Sequence, residues 1–554
     1  MIGIPPTASS SDLDLSGKSF LIIDDFYEIR NVFSDILRKC GVRGRNIHVV
    51  ANGNEAISSL KKKQYDVVLC DLNLGAGKNG QQVLEEAKLH SLVGPNCIWI
   101  MTTADKTAEA VTGAAQYQPD SYLIKPINET ILHMRLEKIW AKKNAFAEIH
   151  EAMGKKDYQK AIKLCDKRLD FDIVNNAELQ RTKCDLLLRC GELDRASEQL
   201  DEILAERDYS WAMTGKARIL MSNGDFSAAK VLLEDTLKEN PSFLEAHDLL
   251  VETFQSLGDL AGAYNALERA VALSPNSVVR QKNLGEIALK LGNLEKADKA
   301  FRKSVSLGEN SVLKNADAYI GLAKTCTSNS NHEEALIVLG ELNKNFNDKD
   351  IHLKAIAVEG TIQHQCGNTE RAKLIAREFS ELIKKDEIGL DSERSLEVAR
   401  LLMATGDQES AISILKQEIK NNPESNTFLI DATEILCDAG MGDEGINLIE
   451  TAGKEAMELM NGGVLLASKE KYEEAIDAMR NARDALPTNI RVLLNLAYVL
   501  VIYIQKKGPK QEYIVEAQET LSIVNTLSPG EPRYVKIKNI LKGLTEKKTD
   551  GDTK

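Results

Sequence analysis

Two hydrophobic patterns divide the chain near residue 140. Before that point, short apolar runs alternate with stretches in which apolar residues recur at helical spacing. Such an alternation is typical of parallel strands that are covered by helices on both faces. The runs are Phe20–Ile23, Ile47–Ala51, Asp66–Cys70, Cys97–Met101 and Ser121–Ile124. The pattern predicts a five-stranded parallel α/β domain over residues 18–140, preceded by a flexible polar leader over residues 1–17.

The second pattern is a helical repeat that begins directly after residue 140. Gly-Asp or Gly-Asn turns precede three alanines, Ala229, Ala263 and Ala297, which lie 34 residues apart. A proline comes twelve residues after the alanine in five copies, at Pro241, Pro275, Pro423, Pro487 and Pro529. Less regular copies centre on Ala161, Ala196, Ala335, Ala372, Ala411, Gly445, Ala475 and Ala517. This spacing resembles the tetratricopeptide repeat (TPR), a hairpin of two helices.

Each part of the repeat has a physical role in a helical hairpin. The alanine lies where the two helices cross, because a larger side chain would force them apart. Glycine lets the chain reverse between the helices, and proline ends the second helix because it has no backbone N–H. One hairpin cannot bury its apolar face alone, so we expect a stacked superhelix with a concave groove. About eleven hairpins are expected over residues 141–544, before a charged, disordered tail over residues 545–554.

The groove is the expected binding surface of this all-α superhelical solenoid. The first helices would present Trp211, Thr214, Arg218 and Met221, then Glu245, Asp248 and Glu252. This surface is partly acidic, and it lacks the repeated Lys and Asn of TPR clamps that bind C-terminal carboxylates. We therefore expect a protein or peptide partner of another kind.

Chemically active side chains stand where four of the five predicted strands end. Asp24 and Asp25 follow the first strand, Asp71 the third, Thr103 the fourth and Lys125 the fifth. The carboxyl ends of strands in an open α/β sheet border one crevice, so these side chains are expected to converge. Three carboxylates there repel each other unless a cation neutralises them, and Mg²⁺ is the hard divalent ion that suits oxygen ligands. One carboxylate can then act as a nucleophile towards a phosphoryl group.

The α/β domain resembles the receiver domain of two-component response regulators, a CheY-like fold of the flavodoxin-like class. The resemblance rests on the acid pair before Phe26, on Asp71, on Thr103 with Ala104, and on Tyr122 three residues before Lys125-Pro126. It covers about a quarter of the chain. It implies a phosphoprotein that takes part in phosphorelay signal transduction.

The resemblance implies roles for the acidic residues. Asp71 would be the phosphoacceptor, Asp25 would bind Mg²⁺ directly and Asp24 would bind it through water. Asn73 would lend its backbone carbonyl to the metal. Asn73 and Asp105 would also flank the path of the attacking water, and their small polar side chains imply a phosphorylated state that lasts seconds to minutes.

Further roles follow from the same resemblance. Thr103 and Lys125 would bind the phosphoryl oxygens, Tyr122 would be the aromatic switch, and Pro126 would follow a cis peptide bond. The sequence departs from the family in the loop Leu72–Gly80, which lacks the usual proline and is one residue longer. The resemblance therefore does not define the shape of this loop. The expected metal site is not affected.

Composition narrows the function classes. Subtracting 83 acidic from 70 basic side chains gives a net charge of −13, which disfavours contact with phosphate backbones and anionic lipid. We therefore expect no DNA binding and no membrane insertion, since the longest apolar stretch, Val492–Ile504, is too short to span a bilayer. Nine cysteines without a CxxC pair favour reduced, buried thiols in the cytoplasm.

One segment joins the two patterns. No proline or glycine occurs between Pro126 and Gly154. Apolar residues recur at helical spacing through this segment, at Ile131, Leu132, Leu136, Ile139, Trp140, Ala145, Phe146 and Ile149. We predict one unbroken helix, with Asn128 as its N-cap, that serves both domains; the alternative is two helices with a kink near Lys142–Asn144. Movement at Thr103 and Tyr122 could then reorient the array without a flexible linker.

The combined interpretation is a response regulator that a histidine kinase phosphorylates on Asp71. Its TPR output would bind a protein partner, with a kinase or another response regulator as candidates and a homodimer as a further option. We expect no enzymatic activity beyond acceptance of phosphoryl on its own aspartate. The alternative is a phosphatase or a phosphate sink that acts on another regulator or kinase. By architecture alone the chain resembles VieB-like auxiliary response regulators.

Overall fold

A five-stranded parallel sheet forms the first part of the molecule. The computed structural model describes residues 14–104, 119–384, 391–423, 425–528 and 531–546. The strands are β1 (Phe20–Ile23), β2 (Ile47–Val50), β3 (Val67–Asp71), β4 (Ile98–Thr103) and β5 (Ser121–Ile124). They are parallel and lie in the order β2-β1-β3-β4-β5. The predicted α/β fold class is confirmed.

Helices cover both faces of the sheet, which explains why the strands are apolar on both sides. Helices α1 (Tyr27–Lys39), α2 (Gly53–Lys62) and α3 (Gly80–Leu89) follow the first three strands, and a short 3-10 turn spans Gly44–Asn46. Phe20 and Ile22 point into the core on the α1 side, whereas Leu21 and Ile23 pack with α2 and α3. Residues 105–118, between β4 and β5, lie outside the described residues.

The predicted shared helix is present as α4 (Glu129–Gly154), which is 26 residues long. The side chain of Asn128 caps it by accepting a hydrogen bond from the backbone N–H of Ile131 at 2.9 Å. Its first half packs on the sheet and its second half packs in the first helical hairpin. The residues that do so are Leu132, Leu136 and Ile139, then Phe146, Ile149 and Ala152. The two parts of the molecule therefore share one helix.

After α4, the described residues form helices that pack on one another in chain order. Their bounds are α5 (Tyr158–Leu169), α6 (Asn176–Arg189), α7 (Leu193–Glu206), α8 (Ser210–Ser222), α9 (Phe226–Glu239), α10 (Leu244–Ser256), α11 (Leu260–Leu273), α12 (Val278–Lys290), α13 (Leu294–Gly308), α14 (Ala316–Ser328), α15 (His332–Asn345), α16 (Lys349–Gln365), α17 (Thr369–Lys384), α18 (Ser392–Thr405), α19 (Gln408–Asn421), α20 (Asn426–Asp438), α21 (Gly442–Ser468), α22 (Tyr472–Ala485), α23 (Ile490–Lys507), α24 (Gln511–Leu527) and α25 (Pro532–Glu546). Their core is a series of apolar clusters, each shared by neighbouring hairpins. This confirms the all-α superhelical solenoid.

Each Gly-Asp turn ends one helix and caps the start of the next. Gly224 has a φ of +81°, a left-handed conformation that ends α8 and that glycine adopts without strain. The next residue, Asp225, caps α9 by accepting a hydrogen bond from the N–H of Ala228 at 3.0 Å. The same pairing recurs in the next two turns, at Gly258 with Asp259 and at Gly292 with Asn293.

One pair of neighbouring hairpins departs from the expected pattern. The copies centred on Gly445 and Ala475 are joined by the continuous helix α21, which is 27 residues long. The residue twelve positions after Gly445 is Met457 rather than proline. The second helix of one hairpin runs on as the first helix of the next. The missing proline alone does not explain this, because the copies centred on Ala196 and Ala335 also lack it and their second helices end at Glu206 and Asn345.

The cysteines match the prediction only in part. All nine are free, and six are buried. Cys366 and Cys437 are exposed, so the prediction of buried thiols is wrong for these two. In the described part of the chain, we find no helix with the length and apolar character that a bilayer crossing requires.

Phe301 gives a test of the packing between hairpins. Its ring is fully buried against Gly321, where an added methyl group would lie 2.2 Å from its Cζ. We expect Gly321→Ala to lower the free energy of unfolding by about 1–3 kcal/mol, because the ring must move. The matched control is Gly340→Ala on α15, where a methyl group meets open space and should stabilise by about 0.5–1 kcal/mol. Urea unfolding followed by circular dichroism measures both, and equal stability of the two variants would contradict this packing.

Candidate functional site

The sheet order brings the predicted site residues together. β1, β3, β4 and β5 are consecutive neighbours, and all their carboxyl ends lie at one edge. Asp24 and Asp25 follow β1, Asp71 ends β3, Thr103 ends β4, and Lys125 follows β5. The side chains that the sequence marks at four strand ends therefore border one crevice.

Lys125 connects the two buried carboxylates of the crevice. Its Nζ lies 2.7 Å from Oδ2 of Asp24 and 2.9 Å from Oδ2 of Asp71. Burial raises the pKa of Asp71, an effect that Lys125 opposes and the charge of Asp24 reinforces. Burial would lower the pKa of Lys125, but the hydrogen bonds to Asp24 and Asp71 outweigh it and raise that pKa. The ammonium is thus held charged between two acids.

A third carboxylate leaves the crevice short of positive charge. Ligand oxygens of Asp24, Asp25 and Asp71 all lie within 4.8 Å of one another. The Oδ1 atom of Asp25 is buried, and among the described residues it has no hydrogen-bond partner. An orphaned carboxylate oxygen beside two other acids is the donor set that a hard divalent cation prefers. These residues fit Mg²⁺.

Arg30 is a site residue that the sequence interpretation missed. It donates from Nη1 to the backbone carbonyls of Asp24 at 2.6 Å and of Asp25 at 3.0 Å. These contacts fix the turn that carries both acids. Arg30 lies one turn into α1, five residues after Asp25, so a basic residue at that spacing from an acid pair was the available signal.

The remaining predicted residues occupy the edges of the crevice. The side chain of Thr103 is buried. The backbone carbonyl of Thr103 accepts a hydrogen bond from the backbone N–H of Lys125 at 2.8 Å. Tyr122 is half-buried against the core on the α2 and α3 side, and burial raises its pKa. The peptide bond before Pro126 is cis, as predicted.

The loop after Asp71 folds back tightly onto the strand. The N–H of Gly80 donates to the carbonyl of Leu72 at 2.9 Å, and a methyl group at Gly80 would lie 1.9 Å from the carbonyl oxygen of Asp71. Only glycine fits at such a distance. Asn73 is exposed in this loop. Asp105, the second predicted lifetime residue, lies outside the described residues.

The predicted groove residues of the array are largely used in internal contacts. Thr214 is buried and donates to the carbonyl of Trp211 at 3.0 Å, so its assignment to the groove surface is wrong. Arg218 pairs with Glu245 at 3.1 Å. Other groove positions link neighbouring hairpins in the same way, as Asp248 with Arg280 shows.

Further along the array, the first helices enclose a cavity of about 650 Å³. Helices α12, α14, α16, α18 and α20 line it with apolar and charged side chains. Lys290 and Asp431 close one side with an ion pair of 2.7 Å, although they lie 141 residues apart. Lys354 forms ion pairs with Asp317 at 2.7 Å and with Glu393. The concave surface is therefore narrow and rich in paired charges here.

Comparison with known proteins agrees with both parts of the molecule. The family model described as response regulator receiver domain matches residues 20–137, and two tetratricopeptide repeat models match residues 214–278 and 283–310. Chemotaxis protein CheY-3 of Vibrio cholerae serotype O1 is 30% identical over 120 residues, which is 22% of this chain and 89% of the relative. Chemotaxis protein CheY of Pseudomonas aeruginosa is 27% identical over 124 residues, covering 22% of this chain and 97% of that protein.

A solved structure matches a larger share of the chain. A tetratricopeptide repeat protein from Parabacteroides merdae is 16% identical, with a TM-score of 0.32. The match covers 48% of this chain and 98% of that one.

The orphaned oxygen of Asp25 predicts a response to Mg²⁺. Without divalent ions, Asp25→Asn should raise the free energy of unfolding of the α/β domain by about 1 kcal/mol, because it removes one of three carboxylate charges that repel each other. Saturating Mg²⁺ should stabilise the wild type by about 2–3 kcal/mol and the variant far less. Asp35→Asn, at an exposed ion pair on α1, is the control and should respond like the wild type. Thermal unfolding with Mg²⁺ or a chelator measures this stabilisation. If Mg²⁺ stabilises Asp25→Asn as much as the wild type, Asp25 is not a ligand of the metal.

Proposed function

The chain belongs to the response regulator receiver family through residues 20–137, and on this premise we propose that it is a phosphorylation-controlled adaptor. A histidine kinase would phosphorylate Asp71 in the cytoplasm, and the tetratricopeptide repeats would bind a protein partner. The observation that supports this most is the position of Lys125, which bridges Asp24 and Asp71 beside the unpartnered oxygen of Asp25.

The proposed chemistry uses Asp71 as a nucleophile. One of its carboxylate oxygens forms a bond to phosphorus while the bond from phosphorus to the histidine nitrogen of the kinase breaks. The ammonium of Lys125 and the hydroxyl of Thr103 would hold the oxygens of the transferred group. Mg²⁺, held by Asp25, Asp71 and the carbonyl of Asn73 and through water by Asp24, would neutralise the charge on that group.

The proposed partner of the array is a protein or peptide segment that carries both apolar and charged side chains. The cavity supports this, because Ile320, Leu396 and Phe428 line it together with the paired charges. A binding segment would have to exchange some of the internal ion pairs for its own. Another response regulator or a kinase is a candidate partner, in the manner of VieB-like auxiliary regulators.

The phosphoacceptor can be tested with a small-molecule donor. Acetyl phosphate with Mg²⁺ should add one phosphoryl group to the wild type, and Asp71→Asn should accept none. Asp35→Asn keeps the acid cluster intact and should be labelled like the wild type. Mass spectrometry of the intact protein detects the adduct. A phosphoryl adduct that persists on Asp71→Asn would place the acceptor elsewhere and overturn the proposal.

The shared helix α4 predicts mechanical coupling between the two parts. Lys143 anchors it by pairing with Asp120 at 3.0 Å and donating to the carbonyl of Cys97 at 2.6 Å. Two glycines inserted after Lys143 should leave phosphorylation intact, because the acid cluster is untouched. A partner captured on the wild type should then bind the insertion variant equally in both phosphoryl states. If binding still changes fully with phosphorylation, rigidity of this helix is not required for the signal.

A further inference from the structure

The receiver touches the array at a second place, far along the chain from α4. Three hydrogen bonds cross this contact, which we name the latch: Lys78 Nζ to the carbonyl of Asn310 at 2.8 Å, Gln82 Nε2 to the carbonyl of Leu307 at 3.1 Å, and Ser311 Oγ to Glu85 Oε2 at 3.4 Å. Each donor lies more than 220 residues from its acceptor in the sequence; Gln82 and Leu307, for example, are 225 residues apart. The contact is therefore a product of the tertiary fold.

The array contributes a helix end to the latch. Helix α13 ends at Gly308, and the last carbonyls of a helix lack partners within it. The carbonyl of Leu307 receives the amide of Gln82, and the ammonium of Lys78 lies beside the negative end of the helix dipole. Burial raises the pKa of Glu85, as expected where a contact excludes water. The receiver thus supplies the cap that the end of α13 requires.

The receiver contributes the loop that follows Asp71 and the start of α3. Gln82 has two functions, because its Oε1 accepts from the N–H of Asn79 at 3.0 Å while its Nε2 reaches the array. Lys78 pairs with Glu86 at 3.1 Å. Gly80, two residues before Gln82, lies against the carbonyl of Asp71. A short and tightly packed path therefore links the backbone of Asp71 to the array.

We propose that the latch is an intramolecular docking surface that senses the phosphoryl state of Asp71. This inference rests on the proposed function, since it needs Asp71 to accept phosphoryl. A phosphoryl group adds bulk and negative charge at one end of a loop whose other end is fixed at Gly80. The loop between them must shift and carry Lys78 with it. Because hydrogen bonds fail beyond about 3.5 Å, a shift of roughly 1 Å opens the latch.

The latch gives the unusual loop a function. Residues 72–80 contain three glycines and no proline, and Lys78 lies in this segment. Gly75 and Gly77 have φ values of +68° and +91°, so the loop follows a path that favours glycine at both positions. With α4 as a fixed pivot, opening of the latch releases the array from the receiver at one point only. The array can then change its position relative to the receiver.

Hydrogen exchange of the full chain tests the latch. Phosphorylation of the wild type with acetyl phosphate and Mg²⁺ should speed amide exchange over residues 305–314 by about tenfold, because the cap of α13 is lost. The double variant Lys78→Met with Gln82→Glu removes the two donors that the receiver contributes to the latch. It keeps the side-chain oxygen at position 82 that caps α3. It should exchange fast there without phosphoryl and change little on phosphorylation. Lys62→Met, at an exposed position on α2, is the control and should match the wild type.

Mass spectrometry separates failure of the latch from failure of the proposed function. The intact mass first shows whether the wild type carries a phosphoryl group that Asp71→Asn lacks. If the adduct is present and exchange over residues 305–314 is unchanged, the latch is wrong and the proposed function stands. If no adduct forms, the proposed function fails and the latch loses its trigger. If the double variant exchanges like the wild type in both states, the two hydrogen bonds do not hold α13, and the latch is again wrong.

Discussion

The contact of Lys125 with Asp24 and Asp71 is the interaction on which the rest of the site depends. Asp24 and Asp71 lie 2.7 and 2.9 Å from one ammonium, which offsets one of their two negative charges. The third acid, Asp25, raises the excess to two negative charges and makes the crevice receptive to a divalent cation. A phosphoryl group on Asp71 would draw Lys125 away from its present partners, so the same ion pairs that stabilise the crevice also make it sensitive to phosphorylation.

The array is tied to this crevice at two points that differ in character. Helix α4 is a covalent, continuous connection with apolar contacts on both sides. The latch is a small polar contact at the end of α13, held by hydrogen bonds that form and break at low cost. A strong pivot together with a weak second contact is a simple way to turn a local chemical change into a change of orientation.

Much of this could be predicted from the sequence because the signals are local. Apolar runs mark the strands, the strand ends mark the acids and Lys125, and an uninterrupted run of helix formers marks α4. The fusion of two hairpins in α21 was not readable, because other copies, such as those centred on Ala196 and Ala335, also lack the proline and their second helices still end. Arg30 was missed because its partners are backbone carbonyls, so only its spacing from the acid pair marks it in the sequence.

Other features depend on contacts between residues that are far apart in the sequence, and the hydrophobic pattern does not reveal them. Thr214 fits a groove position by spacing, but its side chain is buried and donates to the carbonyl of Trp211. Lys78 and Asn310 lie 232 residues apart, and neither stands out in its own segment. The closure of the array by Lys290 and Asp431 is of the same kind. Such contacts follow from the curvature of the whole superhelix, which sums small rotations over many hairpins.

If the phosphoryl state of Asp71 controls the position of the array on the receiver, phosphorylation should change the dimensions of the whole molecule. Small-angle X-ray scattering of the full chain, with and without acetyl phosphate and Mg²⁺, measures this change. We predict a larger radius of gyration for the phosphorylated wild type and no change for Asp71→Asn. If mass spectrometry shows full phosphorylation and the scattering curve is the same as that of the unphosphorylated protein, Asp71 does not control the position of the array.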